Sequence, residues 1–381
     1  MIPFNIPPYT GNEIKYIRDA IKSHHLCGDG KYTKICSQWL ERKLGAKKIL
    51  LTTSGTAALE MSALLCDIKP GDEVILPSFT FPSTATAFLL VGAKLVFVDI
   101  RSDTMNIDEN KIEAAITPKT KAICVMHYGG VSCEMRKIAE ISQKYRLKII
   151  EDAAQGILST YYNAPLGTIG DIGCYSFHET KNYSMGEGGA KSINNEKYTE
   201  QAEMIREKGT NRTKFIRGEI NKYYWVTYGS SYLPSELNAA HLWGQLISAK
   251  KIYETRINQW NYYYLNLIKF QEAGLIQLPT IPKGCKHNAH LFYIKLQNLN
   301  ERNQFQSFMK QNGIICSTHY IPLHSSPAGL KFGRFNGEDV NTTNESNKLI
   351  RLPLYYNLPK ITLKKIIAFI EKFFENKHRL R

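Results

Sequence analysis

Short apolar runs alternate with amphipathic helical patterns over residues 47–190, and this alternation leaves the chain few possible folds. Each run is long enough for a buried strand, and each segment between two runs is long enough for a helix. This spacing predicts parallel strands in a sheet covered by helices on both faces, an α/β architecture. The expected strands are residues 48–53, 73–76, 94–98, 122–127 and 147–152, and the expected helices are residues 57–66, 83–91, 110–116 and 135–145.

Parallel sheets bind their ligands at the carboxyl ends of the strands. The segments that directly follow three of the apolar runs are residues 54–57, 78–81 and 152–155. We therefore expect these segments to share one edge of the sheet and to form a binding site there.

The second half of the chain has a different pattern. Residues 217–236 are rich in Tyr, Gly and Ser and favour an irregular excursion, and residues 237–268 predict a long helix. A strand is expected at 290–296, a helix at 302–312, and an amphipathic last helix at 363–374. We predict a large domain of residues 1–245, which includes an N-terminal helix segment, and a smaller α+β domain of residues 246–381.

The composition indicates a protein of the reducing cytoplasm. No apolar run approaches the roughly 20 residues of a membrane span, and the eight cysteines form no Cys-x-x-Cys pair, so neither a membrane association nor a metal site is expected. The 49 Lys and Arg exceed the 34 Asp and Glu, giving a formal charge of +15. Because the basic residues are scattered, this surplus favours a phosphorylated small substrate over a nucleic acid.

Residues 53–59 predict a phosphate site. Ser54 and Thr56 supply hydroxyls, and the first turn of the following helix supplies unpaired N–H groups, which Gly55 allows a ligand to approach closely. The alternative is that Ser54 only caps the helix.

Asp152 and Gln155 end the strand at 147–152 with an acid and an amide at the same edge. A carboxylate facing a pyridine nitrogen stabilises its protonated form, and the protonated ring withdraws electrons from a substrate carbon. The simpler alternative is that Asp152 caps the next helix.

Lys181 follows a strand candidate at 172–177, whose Ser176 is a further phosphate donor, and a glycine-rich turn follows it at 186–190. A lysine in this position can hold an aldehyde as a Schiff base. Taken in order, the phosphate site, an aromatic pair at Phe79 and Phe81, the acid and amide, and the serine and lysine indicate pyridoxal-phosphate chemistry, with Phe81 stacked on the ring. An exposed lysine in a glycine loop is the alternative.

The segment 319–324, with sequence HYIPLH, gathers polar groups around a short extended stretch. We predict that His319, Tyr320 and His324 face the substrate. Two histidines also suggest a metal, but no third ligand is evident nearby. Exposed loop histidines are the remaining alternative.

These motifs resemble the DegT/DnrJ-type sugar aminotransferases, and the likeness covers nearly the whole chain. It is greatest to transaminases that make dTDP-4-amino-4,6-dideoxygalactose, through LCGDG at 26–30, SFHETKN at 176–182, REKGTNR at 206–212 and HYIPLH at 319–324. The resemblance implies the fold type I, aspartate-aminotransferase-like architecture of pyridoxal-phosphate enzymes.

The resemblance also implies a role for each site residue. Lys181 is the Schiff-base lysine, and Asp152 pairs with the pyridine nitrogen. Gln155 contacts the phenolic oxygen of the ring. The phosphate is held by Gly55, Thr56, Ala57 and Ser176, and Phe81 stacks on the ring.

Family members are homodimers whose sites borrow a segment from the neighbouring subunit, usually with an Asn that reaches the phosphate. The matching run here, GSSYLPSE at 229–236, lacks an Asn at the usual places, and Ser231 or Asn211 are the candidate substitutes.

The implied reaction moves an amino group from L-glutamate to carbon 4 of dTDP-4-dehydro-6-deoxy-D-glucose. Its product, dTDP-4-amino-4,6-dideoxy-D-galactose, would serve enterobacterial common antigen or lipopolysaccharide. The alternatives are a 3-ketosugar, a UDP-linked ketosugar, or a pyridoxal-phosphate-binding regulator without catalysis. Lys181 argues against relatives that carry histidine there and dehydrate sugars.

Overall fold

A computed structural model describes residues 1–379. The strands are β1 Lys48–Thr52, β2 Glu73–Pro77, β3 Lys94–Val98, β4 Thr120–Met126, β5 Lys148–Asp152, β6 Thr160–Tyr161, β7 Ala164–Pro165, β8 Ile172–Ser176, β9 Gly189–Ile193, β10 Cys285–Lys286, β11 Phe292–Lys295, β12 Gly333–Phe335 and β13 Leu349–Leu352. The helices are α1 Glu13–Lys22, α2 Lys31–Leu44, α3 Gly55–Leu65, α4 Pro82–Leu89, α5 Glu109–Ile112, α6 Met135–Tyr145, α7 Thr199–Arg206, α8 Arg212–Ile216, α9 Glu236–Leu246, α10 Ala249–Glu272, α11 Leu299–Gln311, α12 Pro327–Phe332, α13 Thr342–Lys348 and α14 Lys360–Arg379.

An eight-stranded sheet forms the centre of the molecule, in the order β1-β9-β8-β5-β4-β2-β3-β12. β9 is antiparallel to both of its neighbours, and the other neighbouring pairs are parallel. The α/β fold predicted from the alternating pattern is therefore confirmed. Two small sheets, β10-β6-β7 and β11-β13, lie outside it.

The central strands are apolar throughout because both faces of the sheet are buried. Val74 and Leu76 pack into the core on one face, whereas Ile75, between them, packs into the core on the other. The same alternation places Ile150 in the first core and Ile149 in the second. A strand in a sheet that is covered on both faces has a continuous apolar sequence, without the alternation of apolar and polar residues.

The long helix expected at 237–268 is two helices. α9 ends at Leu246 and α10 begins at Ala249. Between them the N–H of Ser248 donates to the carbonyl of Gln245, a tightened turn that ends α9. The start of α9 also fixes the N-terminal region, because the Glu236 carboxylate accepts the N–H groups of Gly30, Tyr32 and Thr33 at the start of α2.

A separate apolar core in the second half of the chain runs from Trp260 in α10 to Phe374 in α14. The start of α10 packs elsewhere, since Ala249 and Ile252 lie in the core that also holds residues of α2 and β1. β12 also crosses the boundary proposed at residue 245, because it pairs in parallel with β3 at the edge of the central sheet. The division into residues 1–245 and 246–381 stays a proposal.

The N-terminal segment returns to this second core. The N–H of Ile2 donates to the carbonyl of Gly313 at 2.6 Å, and the N–H of Ile315 donates to the carbonyl of Ile2 at 3.0 Å. These bonds hold the following residues, Phe4 and Asn5, beside the edge of the central sheet. No helix within residues 1–379 combines the length and apolar content needed to span a bilayer.

Replacing Ile370 by Ala should destabilise the protein by about 2–5 kcal/mol, because this α14 side chain is fully buried in the second core and its loss leaves a cavity. Ile361→Ala on the same helix is the matched control, since Ile361 is 74 % exposed and its truncation should cost less than about 0.5 kcal/mol. Urea denaturation followed by far-ultraviolet circular dichroism compares them. Equal midpoints for both variants would contradict the packing of α14.

Candidate active site

A cavity of about 550 Å³ opens at the carboxyl edge of the central sheet and is closed on its other side by the C-terminal half of the chain. The structure brings together most of the residues predicted from the sequence. Those that line the cavity are Gly55, Thr56, Phe81, Asp152, Gln155, Ser176, Lys181, His319 and Tyr320.

The start of α3 presents free hydrogen-bond donors to this cavity. Ser54 caps the helix, because its hydroxyl accepts the N–H of Ala57 at 2.9 Å. The N–H groups of Gly55 and Thr56 have no acceptor within residues 1–379. The alternative role of Ser54 as a helix cap is therefore confirmed. Because the N–H of Ala57 donates to Ser54, Ala57 has no free donor for a phosphate. Ala57 also does not line the cavity.

Gly55 is needed for the close approach of α3 to β8. A Cβ atom on Gly55 would lie 2.9 Å from the Cβ of Ser176, closer than side chains pack. The contact places the Ser176 hydroxyl beside the two free N–H groups. Neighbouring Thr56 shares a hydrogen bond of 2.7 Å between its hydroxyl and that of Ser83. N–H groups and hydroxyls converging on a helix start suit a phosphate group.

Asp152 is the buried acid of the site, with 4 % of its surface exposed. Its Oδ2 accepts the Thr84 hydroxyl at 2.7 Å, and its Oδ1 accepts the N–H of Ala154 at 3.1 Å. Burial raises the pKa of Asp152 above its ordinary value, and these two hydrogen bonds oppose the shift. A cation bound against this carboxylate would lower its pKa again.

Lys181 reaches the cavity from a loop that folds back on β8. The N–H of Phe177 donates to the carbonyl of Gly188, and the N–H of Met185 donates to the carbonyl of Phe177, both at 2.8 Å. The Lys181 amine forms no hydrogen bond with a residue of the described chain. Burial lowers its pKa to about 8, with Asp152 opposing the shift and Arg351 adding to it. An amine with this pKa is partly neutral near physiological pH.

Gln155 is held by the protein through both ends of its amide. Its Oε1 accepts the N–H of Gly129 at 2.7 Å, and its Nε2 donates to the Tyr320 hydroxyl at 2.9 Å. The His319 ring stacks on the Tyr320 ring, with centroids 4.0 Å apart and planes 10° apart. Burial and the nearby positive charges of Arg351 and Lys181 lower the pKa of His319 well below its ordinary value, so its ring is neutral.

Phe81 is unusually exposed for an aromatic residue beside a cavity. It precedes Pro82 at the start of α4, and 57 % of its surface is open. Its ring lies 6.4 Å from that of Tyr320 and is tilted by 58° against it. The partner predicted with it, Phe79, is instead fully buried among Tyr128 and Tyr320.

His324 lies outside the cavity, contrary to its predicted contact with the substrate. Its Nδ1 lies 2.6 Å from the Ser78 hydroxyl and its Nε2 lies 3.2 Å from Asp339. Both ring nitrogens are thus engaged in joining the end of β2 to the chain around β12. The two predicted histidines diverge, and no group of three metal-ligating side chains occurs in the described part of the chain.

Sequence reasoning missed several residues of the cavity. Arg351 and His290 come from the second half of the chain, Phe4 and Asn5 from the N-terminal segment, and Thr84 bonds to Asp152 from α4. Of these residues, only Thr84 could have been recognised from the sequence nearby, because it follows the second strand at the predicted edge of the sheet. The others arrive through contacts distant in sequence.

The free N–H groups, the Lys181 amine without a hydrogen-bond partner in the described chain, and the buried Asp152 carboxylate fit pyridoxal phosphate. Gly55 and Thr56 offer donors for its phosphate, Lys181 an amine for its aldehyde, and Asp152 a carboxylate for its ring nitrogen.

Known proteins resemble the whole chain. The uncharacterized protein MJ1066 of Methanocaldococcus jannaschii is 35 % identical over 96 % of each chain. The spore coat polysaccharide biosynthesis protein SpsC of Bacillus subtilis is 30 % identical over 93 % of this chain and 92 % of its own. A putative sugar aminotransferase of Streptococcus pneumoniae, Spr1654, solved in its PMP form, superposes with a TM-score of 0.89 at 26 % identity, covering 99 % of this chain and all of its own. The same protein has also been solved in a PLP form.

Capture of pyridoxal phosphate by the apoprotein should speed up with rising pH until about pH 8 and then level off. Only the unprotonated Lys181 amine attacks the aldehyde, and burial moves its pKa from 10.5 down to about 8. Stopped-flow absorbance of the bound cofactor measures the rate, and Lys181→Arg is the control that should form no covalent product. A rate that still rises about tenfold per pH unit above pH 9 would indicate an unperturbed amine.

The model of the DegT/DnrJ/EryC1/StrS aminotransferase family matches residues 8–371. This match spans the sheet, the cavity and the second core together. Together with the two relatives that are 30 % and 35 % identical along almost the entire length, this match establishes the family of the chain. The chain belongs to the DegT/DnrJ/EryC1/StrS family of sugar aminotransferases, which depend on pyridoxal phosphate.

Proposed function

We propose that the protein moves an amino group from L-glutamate to carbon 4 of dTDP-4-dehydro-6-deoxy-D-glucose and so makes dTDP-4-amino-4,6-dideoxy-D-galactose. The observation that carries the reaction type is the Lys181 amine, which shares one cavity with the buried Asp152 carboxylate and the free donors of α3. The choice of sugar and of nucleotide rests on the sequence likeness of the motifs at 26–30, 176–182, 206–212 and 319–324.

Each residue of the cavity has a proposed role toward the cofactor. Gly55, Thr56 and Ser176 bind its phosphate, Phe81 covers one face of its ring, and Asp152 keeps its ring nitrogen protonated. Gln155 is proposed to reach its phenolic oxygen, next to the bond that Gln155 already makes with Tyr320. When bound, pyridoxal phosphate supplies an electron-poor ring that accepts the electrons of the bond broken at the substrate carbon.

Lys181 is proposed to act twice. As a neutral amine it holds the cofactor, and after the substrate amine displaces it, it moves a proton between the substrate carbon and the cofactor. A pKa of about 8 suits both tasks, because the amine can take up and give back a proton near neutral pH. Tyr320 and His319 are proposed to face the substrate from the opposite wall of the cavity.

A role in surface polysaccharide synthesis is part of the proposal. The relative SpsC carries a name that places it in spore coat polysaccharide synthesis, and it matches 93 % of this chain. The product proposed here would serve enterobacterial common antigen or lipopolysaccharide. The surplus of positive charge, +15, favours attraction of a substrate with two phosphates.

We also propose a homodimer with shared active sites. Residues 217–235 form no helix or strand, and they leave Tyr224 61 % and Trp225 80 % exposed. Apolar side chains exposed together favour a protein interface. Asn211 holds this excursion, because its Oδ1 accepts the N–H of Tyr224 at 2.7 Å. Exposed Ser231 is therefore the better candidate to reach the phosphate in a second copy.

Replacing Lys181 by Ala should abolish the absorbance of the covalently bound cofactor and lower turnover by about 1000-fold or more. The wild type should aminate the dTDP-linked 4-ketosugar when L-glutamate is the donor. The assay offers dTDP- and UDP-linked 3- and 4-ketosugars side by side and identifies the aminated carbon by nuclear magnetic resonance. Full activity of Lys181→Ala would refute the reaction type.

The other outcomes of this assay identify the rival functions. Amination at carbon 3, or only of a UDP-linked sugar, would replace the proposed substrate and leave the reaction type intact. A wild-type protein that binds the cofactor but never converts it to the amine form with L-glutamate would instead be a binding regulator.

Trp225→Asp should convert the protein from a dimer to a monomer, because it places a charge in the proposed interface. Leu265→Asp is the matched control, since Leu265 is 73 % exposed and lies on α10 outside the excursion. Sedimentation velocity of both variants and the wild type measures the state. A Trp225→Asp protein that remains a dimer would contradict this interface.

A further inference from the structure

Lys191 is a lysine enclosed within the core around the central sheet. It lies in the middle of β9, and none of its surface is open to solvent. Its backbone pairs with Leu50 of β1 on one side and with Cys174 of β8 on the other. A lysine is almost never fully buried unless its charge is paired. The surroundings of the Lys191 ammonium therefore indicate what it does.

The Lys191 ammonium reaches the face of α3 that packs on the sheet. Its Nζ donates to the carbonyl of Ala58 at 2.8 Å and to the hydroxyl of Ser62. The Ser62 hydroxyl in turn lies 3.0 Å from the Ala58 carbonyl and 3.1 Å from the Sγ of Cys174. These partners are neutral, so they accept hydrogen bonds from the ammonium without balancing its charge.

No carboxylate of the described chain forms an ion pair with Lys191. The ionisable groups that act on it are the thiols of Cys66, Cys124 and Cys174. Burial raises the pKa of all three thiols, which keeps them uncharged. The same burial lowers the pKa of Lys191. The structure thus encloses a cation among neutral groups.

Lys295, the other lysine buried in the described chain, has the usual arrangement. It is 2 % exposed, and its Nζ lies 2.6 Å from the carboxylate of Glu345. Lys191 lacks such a partner. A buried charge is costly unless it is paired, so an anion bound near Lys191 would be stabilised by it.

The candidate phosphate site lies on the same face of the sheet, nearer its carboxyl edge. Gly189 of β9 passes against the start of α3, since a Cβ on it would lie 2.6 Å from the nitrogen of Gly55. Alternate residues of a strand point to the same face, so Lys191 points toward α3 as Gly189 does. Two strand residues and one helical turn place the ammonium roughly 10 Å from a phosphate bound by the free N–H groups of Gly55 and Thr56.

A charge at this distance matters because the first turn of α3, and not water, lies between the two groups. Salt screens a buried charge much less than an exposed one. At an effective dielectric constant of about 20, the attraction of two unit charges roughly 10 Å apart corresponds to about a tenfold change in a binding constant. A phosphate monoester near neutral pH carries about 1.5 to 2 negative charges, which strengthens the effect.

We infer that Lys191 strengthens the binding of the cofactor's phosphate from beneath α3, as a positioning residue that acts through the helix and never touches the phosphate. This inference rests on the proposed placement of the phosphate at the start of α3. After the cofactor takes up the amino group, no covalent bond joins it to Lys181, and the phosphate contacts must retain it. A cation beneath the helix reinforces those contacts without occupying the cavity, which leaves its space to the two substrates.

The test uses the full-length chain and two ligands that form no covalent bond with Lys181. Pyridoxamine phosphate carries the phosphate, and pyridoxamine is the same molecule without it. In titration calorimetry Lys191→Met should weaken the binding of pyridoxamine phosphate about tenfold or more and change that of pyridoxamine less than about twofold. Release of pyridoxamine phosphate after dilution, followed by its fluorescence, should become faster by a similar factor.

A second variant separates the charge of Lys191 from its hydrogen bonds. Lys191→Gln is neutral but keeps a donor directed toward Ser62, and it should weaken pyridoxamine phosphate as much as Lys191→Met does. Lys121→Met is the matched control, because it removes the same charge from an exposed position of β4 and should change the binding of neither ligand. Without ligand, the thermal midpoint of Lys191→Met should equal or exceed that of the wild type, since an unbalanced buried charge is gone.

Two results would overturn the inference. Equal weakening of both ligands together with a lower thermal midpoint of the ligand-free chain would show that Lys191 only supports the fold. Wild-type affinity for pyridoxamine phosphate in Lys191→Gln would show that its charge does not act on the phosphate.

Ser176→Ala distinguishes these results from a failure of the proposed site. It removes a hydroxyl that is proposed to contact the phosphate directly, so it should weaken pyridoxamine phosphate whatever Lys191 does. If Ser176→Ala and both Lys191 variants all bind pyridoxamine phosphate as the wild type does, the phosphate lies elsewhere and the proposed placement is wrong as well. The proposed sugar substrate takes no part in these measurements, so its identity does not affect them.

Discussion

The parallel pairing of β5 with β8 is the constraint on which the site depends. Asp152, the last residue of β5, pairs with Cys174, and β8 ends two residues later at Ser176. A parallel register brings both strand ends to the same edge of the sheet. The loop after β8 then folds back over this edge and brings Lys181 into the same cavity as Asp152. A shift in this register would separate the acid from the donors that flank it.

Burial gives these groups their chemistry. Removal from water raises the pKa of Asp152 and lowers that of Lys181, so each is drawn toward its neutral form. Their mutual attraction opposes both shifts. The same burial lowers the pKa of His319 and of His290, and Arg351, whose Nε has no hydrogen-bond partner within residues 1–379, adds to both shifts together with Lys181. The cavity thus brings together an amine and an acid from the central sheet and a guanidinium from the second half of the chain.

The cavity exists because two cores meet there. α10 starts in the core shared with α2 and ends in the core of the C-terminal half, which makes it a rigid link between them. β12 extends the central sheet from the other side, and the Ser78–His324–Asp339 contacts join the end of β2 to the chain that leads there. His324 therefore stabilises the wall of the site instead of contacting its contents. The segment around Ile2 closes the remaining side and places Phe4 over Arg351.

The sequence by itself determined six of the eight strands of the central sheet, β1 to β5 and β8, together with the start of α3 at the edge of the sheet, the acid at the end of β5 and the lysine after β8. Those features follow from periodicity and from residue types next to strand ends, which are local properties of the chain. Only the tertiary structure decided that Arg351 and Phe4 line the cavity. It also decided that the N–H of Ala57 donates to Ser54. The same holds for the two histidines, since His324 lies outside the cavity while the His319 ring stacks on that of Tyr320. These outcomes depend on which distant segments pack against each other, and neither the spacing nor the type of a residue records its partner across the fold.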